Sequence, residues 1–312
     1  MPAPQPIRIA VTGLGKIARD QHLPALAADP RFALAATASP DTAGLDGVAH
    51  FDSLEALLAH GPRLDAVALC TPPQVRHGLA MRAIAAGLHV LLEKPPGATV
   101  SEVEALLAAA RRAGTTLFAA WHSRFAGGVA PARDWLRDRR IERVTIVWRE
   151  DVRAWHPGQA WIWEPGGLGV FDPGINALSI ATALLPDPLA LSAATLEVPA
   201  NRAAPIAARL SGRTAGGAPA AIDLDWRQTG PQTWDIVVET DHGPLRLGSG
   251  GASLSVPGAE DVRHADREYP GLYDRFQALI RGGASDVDLA PFRLVADAFL
   301  IGRRETAAPF HD

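Results

Sequence analysis

The length of 312 residues exceeds the usual size of one domain, so the sequence predicts two domains. A net charge of −4 gives no reason to expect a nucleic-acid partner, and the apolar runs are shorter than the ~20 residues of a membrane helix. Cys70 is the single cysteine, which excludes an intrachain disulfide and a cysteine-based metal cluster. Because the start of the chain also lacks the apolar core of a signal peptide, we expect a cytoplasmic protein.

The first part of the chain predicts a doubly wound parallel sheet. Short apolar runs typical of buried parallel strands lie at residues 7–11, 31–37, 65–70, 88–92 and 116–120. Helical patterns separate them at residues 15–28, 53–59, 73–86 and 101–113. Ser101 and Glu104 have the spacing of a capping box, which places the start of the last helix at Ser101. Such alternation requires right-handed crossovers and therefore an α/β fold.

Beyond about residue 122 the pattern changes to that of an α+β domain. A strand at 141–150 precedes a loop rich in Trp, Gly and Pro at 153–171 and a helix at 172–185. Alternating runs then predict strands at 191–198, 205–211, 219–228, 233–240 and 244–256, with an exposed turn at 212–219. Two helices, 270–281 and 290–304, end the chain. We expect residues 123–312 to form a domain with a large, mostly antiparallel open sheet.

A glycine motif of the form G-x-G-x-x-A lies directly between the first strand and the first helix. Gly13 permits a tight turn, Gly15 lets a pyrophosphate approach the backbone, and Ala18 allows close packing of the helix. Lys16 and Ile17 lie in the same segment and are further candidate cofactor contacts. The alternative, a glycine turn without a ligand, is disfavoured by the strand–turn–helix context. The motif predicts a dinucleotide-binding Rossmann domain over residues 1–122.

The end of the second strand bears on the choice of cofactor. The segment Ala38-Ser39-Pro40-Asp41 places neither an acid for the adenosine ribose nor an arginine for a 2′-phosphate clearly in position. Ser39 is the candidate contact here. The lack of an arginine beside Ser39 favours NAD over NADP and leaves NADP open.

Two later loops follow strands whose carboxyl ends are expected to border the nicotinamide. One begins at Thr71 and the other at Glu93, and together they supply the candidate cofactor residues Thr71, Pro72, Gln74, His77, Glu93 and Lys94. Desolvation at a buried strand end favours the neutral amine of Lys94, which makes it a candidate proton donor or acceptor. The alternative role for Lys94 is an ion pair, for instance with Glu93.

These motifs carry a resemblance to a known family. The glycine motif, the segment T-P-P-x-x-x-H at 71–77 and E-K-P at 93–95 resemble, in order and over the whole chain, the family of glucose–fructose oxidoreductase, inositol dehydrogenase and MocA. The string from Glu150 to Asn176 resembles the members that oxidise L-arabinose or D-galactose at carbon 1. The resemblance implies hydride transfer from an aldopyranose to NAD(P), with the lactone as product. It also implies a Rossmann domain, a substrate domain built on a sheet, and a homodimer.

The wider family shows a glycine pair followed by D-x-G-x-H, whose aspartate and histidine flank the reacting carbon. The matching positions here are Gly166, Gly167, Asp172, Gly174 and Asn176. Asn176 cannot titrate, so a histidine base at that position is excluded and the proton goes to Asp172 or Lys94. A helix would place Asp172 and Asn176 on one face, where Asn176 orients a hydroxyl.

Asp172 also has a structural interpretation. An aspartate followed by proline is a good helix N-cap, and a helix N-terminus favours the charged carboxylate and weakens it as a base. The choice between Asp172 and Lys94 as base therefore stays open. We favour Asp172 as the base and Lys94 as the group that polarises the anomeric oxygen.

The Trp-rich loop supplies four bulky rings, Trp155, His156, Trp161 and Trp163. A sugar presents apolar C–H faces to aromatic rings and hydroxyls to polar groups, and such a mixture of side chains meets both demands. Trp155 and His156 are candidate substrate contacts, and Trp163 is a candidate wall for the nicotinamide. The alternative is a loop anchored by buried tryptophans.

Two further residues complete the predicted site. His122 follows the sixth strand and Glu150 ends the strand before the Trp-rich loop, so both are candidate sugar contacts. The histidines do not cluster, and no metal site is expected.

The sequence thus predicts an NAD(P)-dependent sugar 1-dehydrogenase with a small sugar as its partner and no nucleic-acid or membrane partner. The rival from another class is a non-catalytic nucleotide or sugar sensor on the same fold. A second rival is a dehydrogenase of another polyol or aldose, or a reductase of a carbonyl group.

Overall fold

The computed structural model describes residues 5–40 and 42–311, which form two compact units. The first unit contains Met1–Ala120 and Tyr269–Asp288, and the second contains Trp121–Glu268 and Leu289–Asp312. The sequence analysis divided the chain once, after residue 122. The structure differs because the segment Tyr269–Asp288 returns to the first unit. Asp41, considered above for ribose binding, lies outside the described residues.

The first unit is built on a six-stranded parallel sheet with the strand order β3-β2-β1-β4-β5-β6. Its strands are β1 (Ile7–Thr12), β2 (Phe32–Ala38), β3 (Ala49–Phe51), β4 (Ala66–Leu69), β5 (His89–Glu93) and β6 (Leu117–Ala120). Its first four helices are α1 (Leu23–Ala28), α2 (Leu54–His60), α3 (Pro73–Ala85) and α4 (Val100–Ala113). The predicted doubly wound sheet is confirmed. The three-residue β3 was missed because so short a run shows no periodicity.

The central strands of this sheet are buried on both faces, which is why they read as continuous apolar runs. Ala10 of β1, Val67 of β4 and Val90 of β5 are fully buried and share one core cluster with Leu57 of α2 and Leu106 of α4. Helices thus cover the sheet, and its carboxyl edge carries the loops predicted to bind the cofactor.

The N-terminal cap of α4 differs from the sequence prediction. Thr99, not Ser101, is the N-cap, and its hydroxyl accepts a hydrogen bond from the Glu102 amide at 3.3 Å. The Glu102 carboxylate in turn accepts from the Thr99 amide at 3.3 Å. Both serine and threonine stand three residues before a glutamate, so the sequence offers two capping boxes and the helix uses the earlier one. Ser101 lies inside the first turn.

The second unit is built on a nine-stranded sheet with the order β14-β13-β12-β11-β7-β10-β9-β8-β15. Its strands are β7 (Ile141–Arg149), β8 (Leu189–Pro199), β9 (Ala207–Thr214), β10 (Pro219–Asp225), β11 (Thr233–Thr240), β12 (Gly243–Gly248), β13 (Ser253–Ser255), β14 (Val262–Arg263) and β15 (Arg303–Ala307). The pairs β7–β10 and β8–β15 are parallel and the other pairs are antiparallel. The prediction of a mostly antiparallel sheet is confirmed.

The remaining helices complete the second unit and return the chain to the first. They are α5 (Val129–Leu136), α6 (Val152–Trp155), α7 (Phe171–Leu184), α8 (Glu268–Gly282) and α9 (Ala290–Ile301). In the described part of the chain, none of the helices combines the length and apolar character needed to cross a membrane.

Three predictions in this half of the chain were wrong in detail. The predicted helix 290–304 ends at Ile301, and the residues after Gly302 form the edge strand β15. The predicted strand 244–256 divides into β12 and β13 around a short turn in which Gly250 has a φ of 70°. Strand β9 extends to Thr214, so the predicted turn at 212–219 is shorter.

Helix α7 lies directly against the nine-stranded sheet, and glycine makes this close approach possible. A Cβ placed on Gly174 would lie 2.6 Å from Cδ1 of Leu224 in β10. Gly167, just before α7, lies so close to the Trp161 carbonyl that a Cβ there would approach its oxygen to 2.2 Å. These contacts place the first turn of α7, with Asp172, beside the end of β10.

The cap assignment can be tested by removing each hydroxyl in turn. We expect Thr99→Ala to lower the free energy of unfolding by about 1 kcal/mol, because it removes the N-cap acceptor. Ser101→Ala is the matched control and should change it by less than about 0.5 kcal/mol. Urea unfolding measures both, and a larger loss for Ser101→Ala would contradict the assignment.

Candidate functional site

The glycine loop of the first unit has the geometry predicted for a dinucleotide site. Gly13 has a φ of 87°, and a Cβ there would lie 2.8 Å from the Thr71 amide nitrogen, so this position requires glycine. A Cβ on Gly15 would meet nothing within 4 Å, so open space lies beside that backbone. The hydroxyl oxygens of Thr12 and Thr71 are buried and have no hydrogen-bond partner among the described residues. Open backbone and unsatisfied hydroxyls together fit a bound dinucleotide.

Three predicted cofactor residues surround this loop. The Ser39 hydroxyl accepts a hydrogen bond from the Leu14 amide at 3.2 Å, so Ser39 helps to fix the main chain of the glycine loop. Lys16 is exposed and pairs with Asp20 one helical turn later. Ile17 is half-buried immediately before the π-helical turn that leads into α1. Their contacts with a cofactor stay predictions.

The loops after β4 and β5 are joined by a residue that sequence reasoning missed. Arg76, on α3, is buried, and its guanidinium donates to the carbonyls of Thr71, Glu93 and Pro95. Its position inside the T-P-P-x-x-x-H segment was the signal that could have drawn attention to it. Arg76 thereby holds the two predicted nicotinamide loops in one arrangement.

The other predicted residues of these loops lie as follows. Pro72 is the N-cap of α3, and Gln74 and His77 are half-buried on its first two turns. Lys94 is half-buried after β5 and is followed by a cis peptide bond to Pro95.

Glu93 is buried beneath the Lys94 loop and is held by several donors. Its Oε1 accepts from the Tyr269 hydroxyl at 2.6 Å and lies 3.1 Å from His22 Nε2. Its Oε2 accepts from the backbone amide of Lys94 at 2.6 Å. His22 Nδ1 contacts the Tyr273 hydroxyl at 2.8 Å. The Glu93 carboxylate thus binds the main chain of Lys94 and helps to fix the position of that residue.

The pKa values of His22 and Tyr273 in this cluster are both raised, for different reasons. Burial lowers the pKa of His22, but Cys70, Tyr273 and Glu93 raise it more, so the pKa stands well above the ordinary 6.5. Burial raises the pKa of Tyr273 to about 12. His22 and both tyrosines were missed because 71 and 251 residues separate His22 from its partners Glu93 and Tyr273.

The second unit gathers polar and aromatic side chains at one edge of its sheet. Glu150 directly follows β7 and is buried; its carboxylate accepts from the indole nitrogens of Trp226 at 3.3 Å and Trp234 at 2.9 Å. Because Arg149 pairs with Asp225 in parallel register, the ends of β7 and β10 adjoin. The two tryptophans were not predicted as site residues, since only this register brings them to Glu150.

His156 lies between two carboxylates. Its Nε2 is 3.5 Å from Glu150 Oε1, and its Nδ1 is 3.7 Å from Asp172 Oδ2 and 3.4 Å from Gln159 Oε1. Its ring packs against Trp226 with the centroids 5.2 Å apart. The structure therefore brings together Glu150, His156 and Asp172, three of the predicted site residues.

Asp172 is 2% exposed and lies in the first turn of α7. The N-cap of this helix is Val170, so the interpretation of Asp172 as an N-cap was wrong: the helix begins at Phe171, two residues earlier than that interpretation requires. The helix N-terminus still favours a negative charge here. Asn176 is half-buried one turn later on the same face of α7.

The remaining rings have different environments. Trp155 is 43% exposed and packs edge-on against Trp234 with the centroids 5.1 Å apart. Trp163 is fully buried against Trp226 and Phe310, as the alternative of an anchored loop describes, and its contact with a nicotinamide stays a prediction.

His122 is mostly buried and pairs with Glu268. Within residues 5–40 and 42–311, no group of three His, Cys, Asp or Glu side chains is arranged to hold a metal ion. The second unit thus presents acceptors, an imidazole and an exposed indole at one sheet edge, which is the chemistry that recognises a polyhydroxylated ring.

Comparison with known proteins agrees with these features. The oxidoreductase family described by its NAD-binding Rossmann fold matches residues 7–120. Galactose 1-dehydrogenase of Pseudomonas fluorescens is 46% identical over 308 residues, covering 99% of this chain and 100% of that protein. The crystal structure of a D-galactose-1-dehydrogenase protein from Rhizobium etli is 51% identical, covers both chains completely, and superposes with a TM-score of 0.92.

A more distant structure shares the fold alone. A 3-ketoreductase from Actinomadura kijaniata, in complex with NADP and TDP-benzene, is 21% identical and has a TM-score of 0.83 over 98% of this chain and 100% of that one.

A parallel sheet with an open glycine loop defines the first unit as an NAD-binding Rossmann domain. The chain belongs to the oxidoreductase family of glucose–fructose oxidoreductase, inositol dehydrogenase and MocA, as its motifs predicted. It is accordingly an enzyme of the sugar dehydrogenase class.

The two glycines of the loop should respond differently to substitution. Gly13→Ala places a Cβ against the Thr71 backbone at a positive φ, so we expect the free energy of unfolding to fall by about 1–3 kcal/mol. Gly15→Ala meets no neighbour, so we expect a change below about 0.5 kcal/mol but a ~10-fold weaker binding of NADH.

Urea unfolding and NADH fluorescence titration measure these effects. Equal binding of NADH by Gly15→Ala and the unmodified protein would contradict the placement of the pyrophosphate at Gly15.

The raised pKa of the buried His22 predicts how the free energy of unfolding depends on pH. Because the pKa of His22 is raised on folding, its stabilisation is complete below pH 6.5 and is lost as the pH rises through the folded value. We expect His22→Gln to reduce the fall in unfolding free energy between about pH 6 and about pH 8.5. Urea unfolding at both values tests this, with exposed His60→Gln as the control; the same slope in both variants would contradict it.

Proposed function

We propose that the protein oxidises the anomeric carbon of galacto-configured pyranoses, D-galactose and L-arabinose, to the lactone, with hydride transfer to NAD. The observation that carries the proposal is the cluster of Glu150, His156 and Asp172 beside Trp155 and Trp234. The names of the relatives from Pseudomonas fluorescens and Rhizobium etli, both galactose 1-dehydrogenases, support it.

One set of contacts with the ring would explain the binding of both sugars. D-galactose and L-arabinose share their configuration at carbons 2 to 4 and differ by one hydroxymethyl group on the ring. A hydrophobic pocket discriminates a group of that size by only about 1–3 kcal/mol. Acceptors and donors that read carbons 2 to 4 would therefore bind both sugars.

The proposed chemistry assigns separate roles to two groups. Asp172 removes the proton of the anomeric hydroxyl, and Lys94 polarises the anomeric oxygen; the reverse assignment of the base stays the alternative. Asp172 lies in the first turn of α7, one turn before Asn176, and its Oδ2 is 3.7 Å from His156 Nδ1, which supports its place beside the reacting carbon. The bound nicotinamide supplies the hydride acceptor.

The sugar's other hydroxyls need partners of their own. In this proposal Glu150, His122 and Asn176 form hydrogen bonds with them, and Trp155 covers an apolar face of the ring. The half-buried position of Asn176 one turn after Asp172 supports its role in orienting a hydroxyl.

The preference for NAD over NADP is part of the same proposal. An NADP site commonly places an arginine near the end of the second strand to bind the 2′-phosphate. Ser39 at that position is followed by Pro40, and its hydroxyl is already bonded to the glycine loop. The proposed cytoplasmic location is supported by the single cysteine, and the proposed homodimer by the family resemblance alone.

The proposal is tested by the reduction of NAD and of NADP, followed by absorbance, with D-galactose, L-arabinose, D-xylose, D-glucose and myo-inositol. We expect turnover with the first two sugars and a higher kcat/KM with NAD. Asp172→Asn and Lys94→Ala should each lower kcat by roughly 100-fold or more, because each removes a group that handles charge in the transition state.

The exposed Asp134→Asn is the matched control for the aspartate and should retain full activity. Tight NADH binding without turnover of any sugar would favour the sensor, and turnover of glucose or inositol instead would favour the other dehydrogenases.

A further inference from the structure

The imidazole of His156 occupies a position that binding of a sugar does not explain by itself. It is the side chain that faces Asp172 through one ring nitrogen and Glu150 through the other. We propose that His156 is a proton relay, which takes the proton of the oxidised sugar from Asp172 and passes it toward Glu150 and solvent. This inference rests on the proposed function and extends it by one step.

The balance of the reaction requires such a step. When the anomeric carbon is oxidised, its hydrogen leaves as hydride to the nicotinamide, and the O–H electron pair forms the second C–O bond of the lactone. The hydroxyl proton then remains on Asp172. Because Asp172 is 2% exposed, it has little contact with water through which to lose that proton before the next turnover.

The geometry of His156 suits the transfer. A neutral imidazole accepts a proton at one nitrogen and releases one from the other, so the two ring nitrogens act in sequence. The distances of 3.7 Å to Asp172 and 3.5 Å to Glu150 exceed a hydrogen bond of about 3.0 Å by about half an ångström or slightly more. A small rotation of the side chain, or one bridging water, closes either gap.

Two carboxylates, an indole and an amide surround the ring of His156. The titratable groups that face it are Asp172 from α7 and Glu150 from the end of β7, both carboxylates. Trp226, after β10, packs against the ring at an interplanar angle of 52°, and Gln159 of its own loop contacts Nδ1 at 3.4 Å. Its side chain is 15% exposed, against 3% for Asp172, so the ring connects the buried carboxylate with water.

The helix residue one turn after Asp172 cannot serve as the proton relay. Asn176 follows Asp172 by one turn on the same face, but an amide cannot carry a proton between two groups. An imidazole contributed by the Trp-rich loop reaches the same aspartate from another element. The relay therefore lies in His156, outside the D-x-G-x-N segment.

Rapid mixing tests the relay directly, with NADH absorbance for hydride transfer and a pH indicator in weak buffer for proton release. In the unmodified enzyme the two signals should rise together. In His156→Gln the first turnover of NADH should persist while proton release lags, and kcat should fall roughly 10–100-fold with little change in KM. The second variant, His156→Ala, should regain at least part of its kcat when imidazole is added.

The surface residue His242, with a side chain 63% exposed, provides the control, and His242→Ala should show neither the lag nor a response to imidazole. A raised KM with unchanged kcat and no lag in His156→Gln would overturn the relay and leave His156 as a sugar contact. So would a failure of imidazole to restore His156→Ala, once urea unfolding shows that the variant is folded. Absence of turnover by the unmodified enzyme with every sugar would instead overturn the proposed function.

Discussion

The parallel pairing of β7 with β10 is the constraint on which the polar edge of the second unit depends. Antiparallel neighbours end at opposite edges of a sheet, but these two strands end side by side, at Arg149 and Asp225. The next residues, Glu150 and Trp226, consequently meet. A buried carboxylate is tolerated only when donors surround it, and two indoles serve that purpose here. Helix α7 packs against the same strand β10, and this contact places Asp172 close to Glu150 and His156.

A similar principle operates in the first unit with different donors. Glu93 is buried at the end of a parallel strand and is satisfied by a tyrosine, a histidine and the main chain of Lys94. The buried guanidinium of Arg76 binds the carbonyls on either side of Lys94. The main chain around Lys94 is thus fixed by contacts in which its own amine takes no part.

The sequence predicted those features whose physical cause is local. The glycine loop was readable because the turn, the open backbone at Gly15 and the small Ala18 lie within six residues of one another. The first turn of α7 was located to within one residue for the same reason. The capping box of α4 was misplaced because Thr99–Glu102 and Ser101–Glu104 have the same spacing, and the spacing alone does not distinguish them.

Features created by long-range register could not be read in this way. Nothing near Trp226 or Trp234 in the sequence indicates that both indoles bind one carboxylate, since that follows from the pairing of three strands. The return of the chain at Tyr269 to cover Glu93 was equally hidden, because α8 has an ordinary amphipathic pattern. The predicted site residues were individually recognisable, but their partners were not.

The return of Tyr269–Asp288 to the first unit has a consequence for biosynthesis. The nascent chain leaves the ribosome with its N-terminus first, and domains generally fold as units while synthesis proceeds. The Rossmann sheet emerges early, yet the tyrosines that satisfy Glu93 and His22 are translated only after most of the second unit. Completion of the nucleotide-binding half must therefore wait for nearly the whole chain. A gene fragment that ends after β6 would encode a sheet whose buried acid lacks its hydroxyl donor, so this half is not an independent module that recombination could transplant.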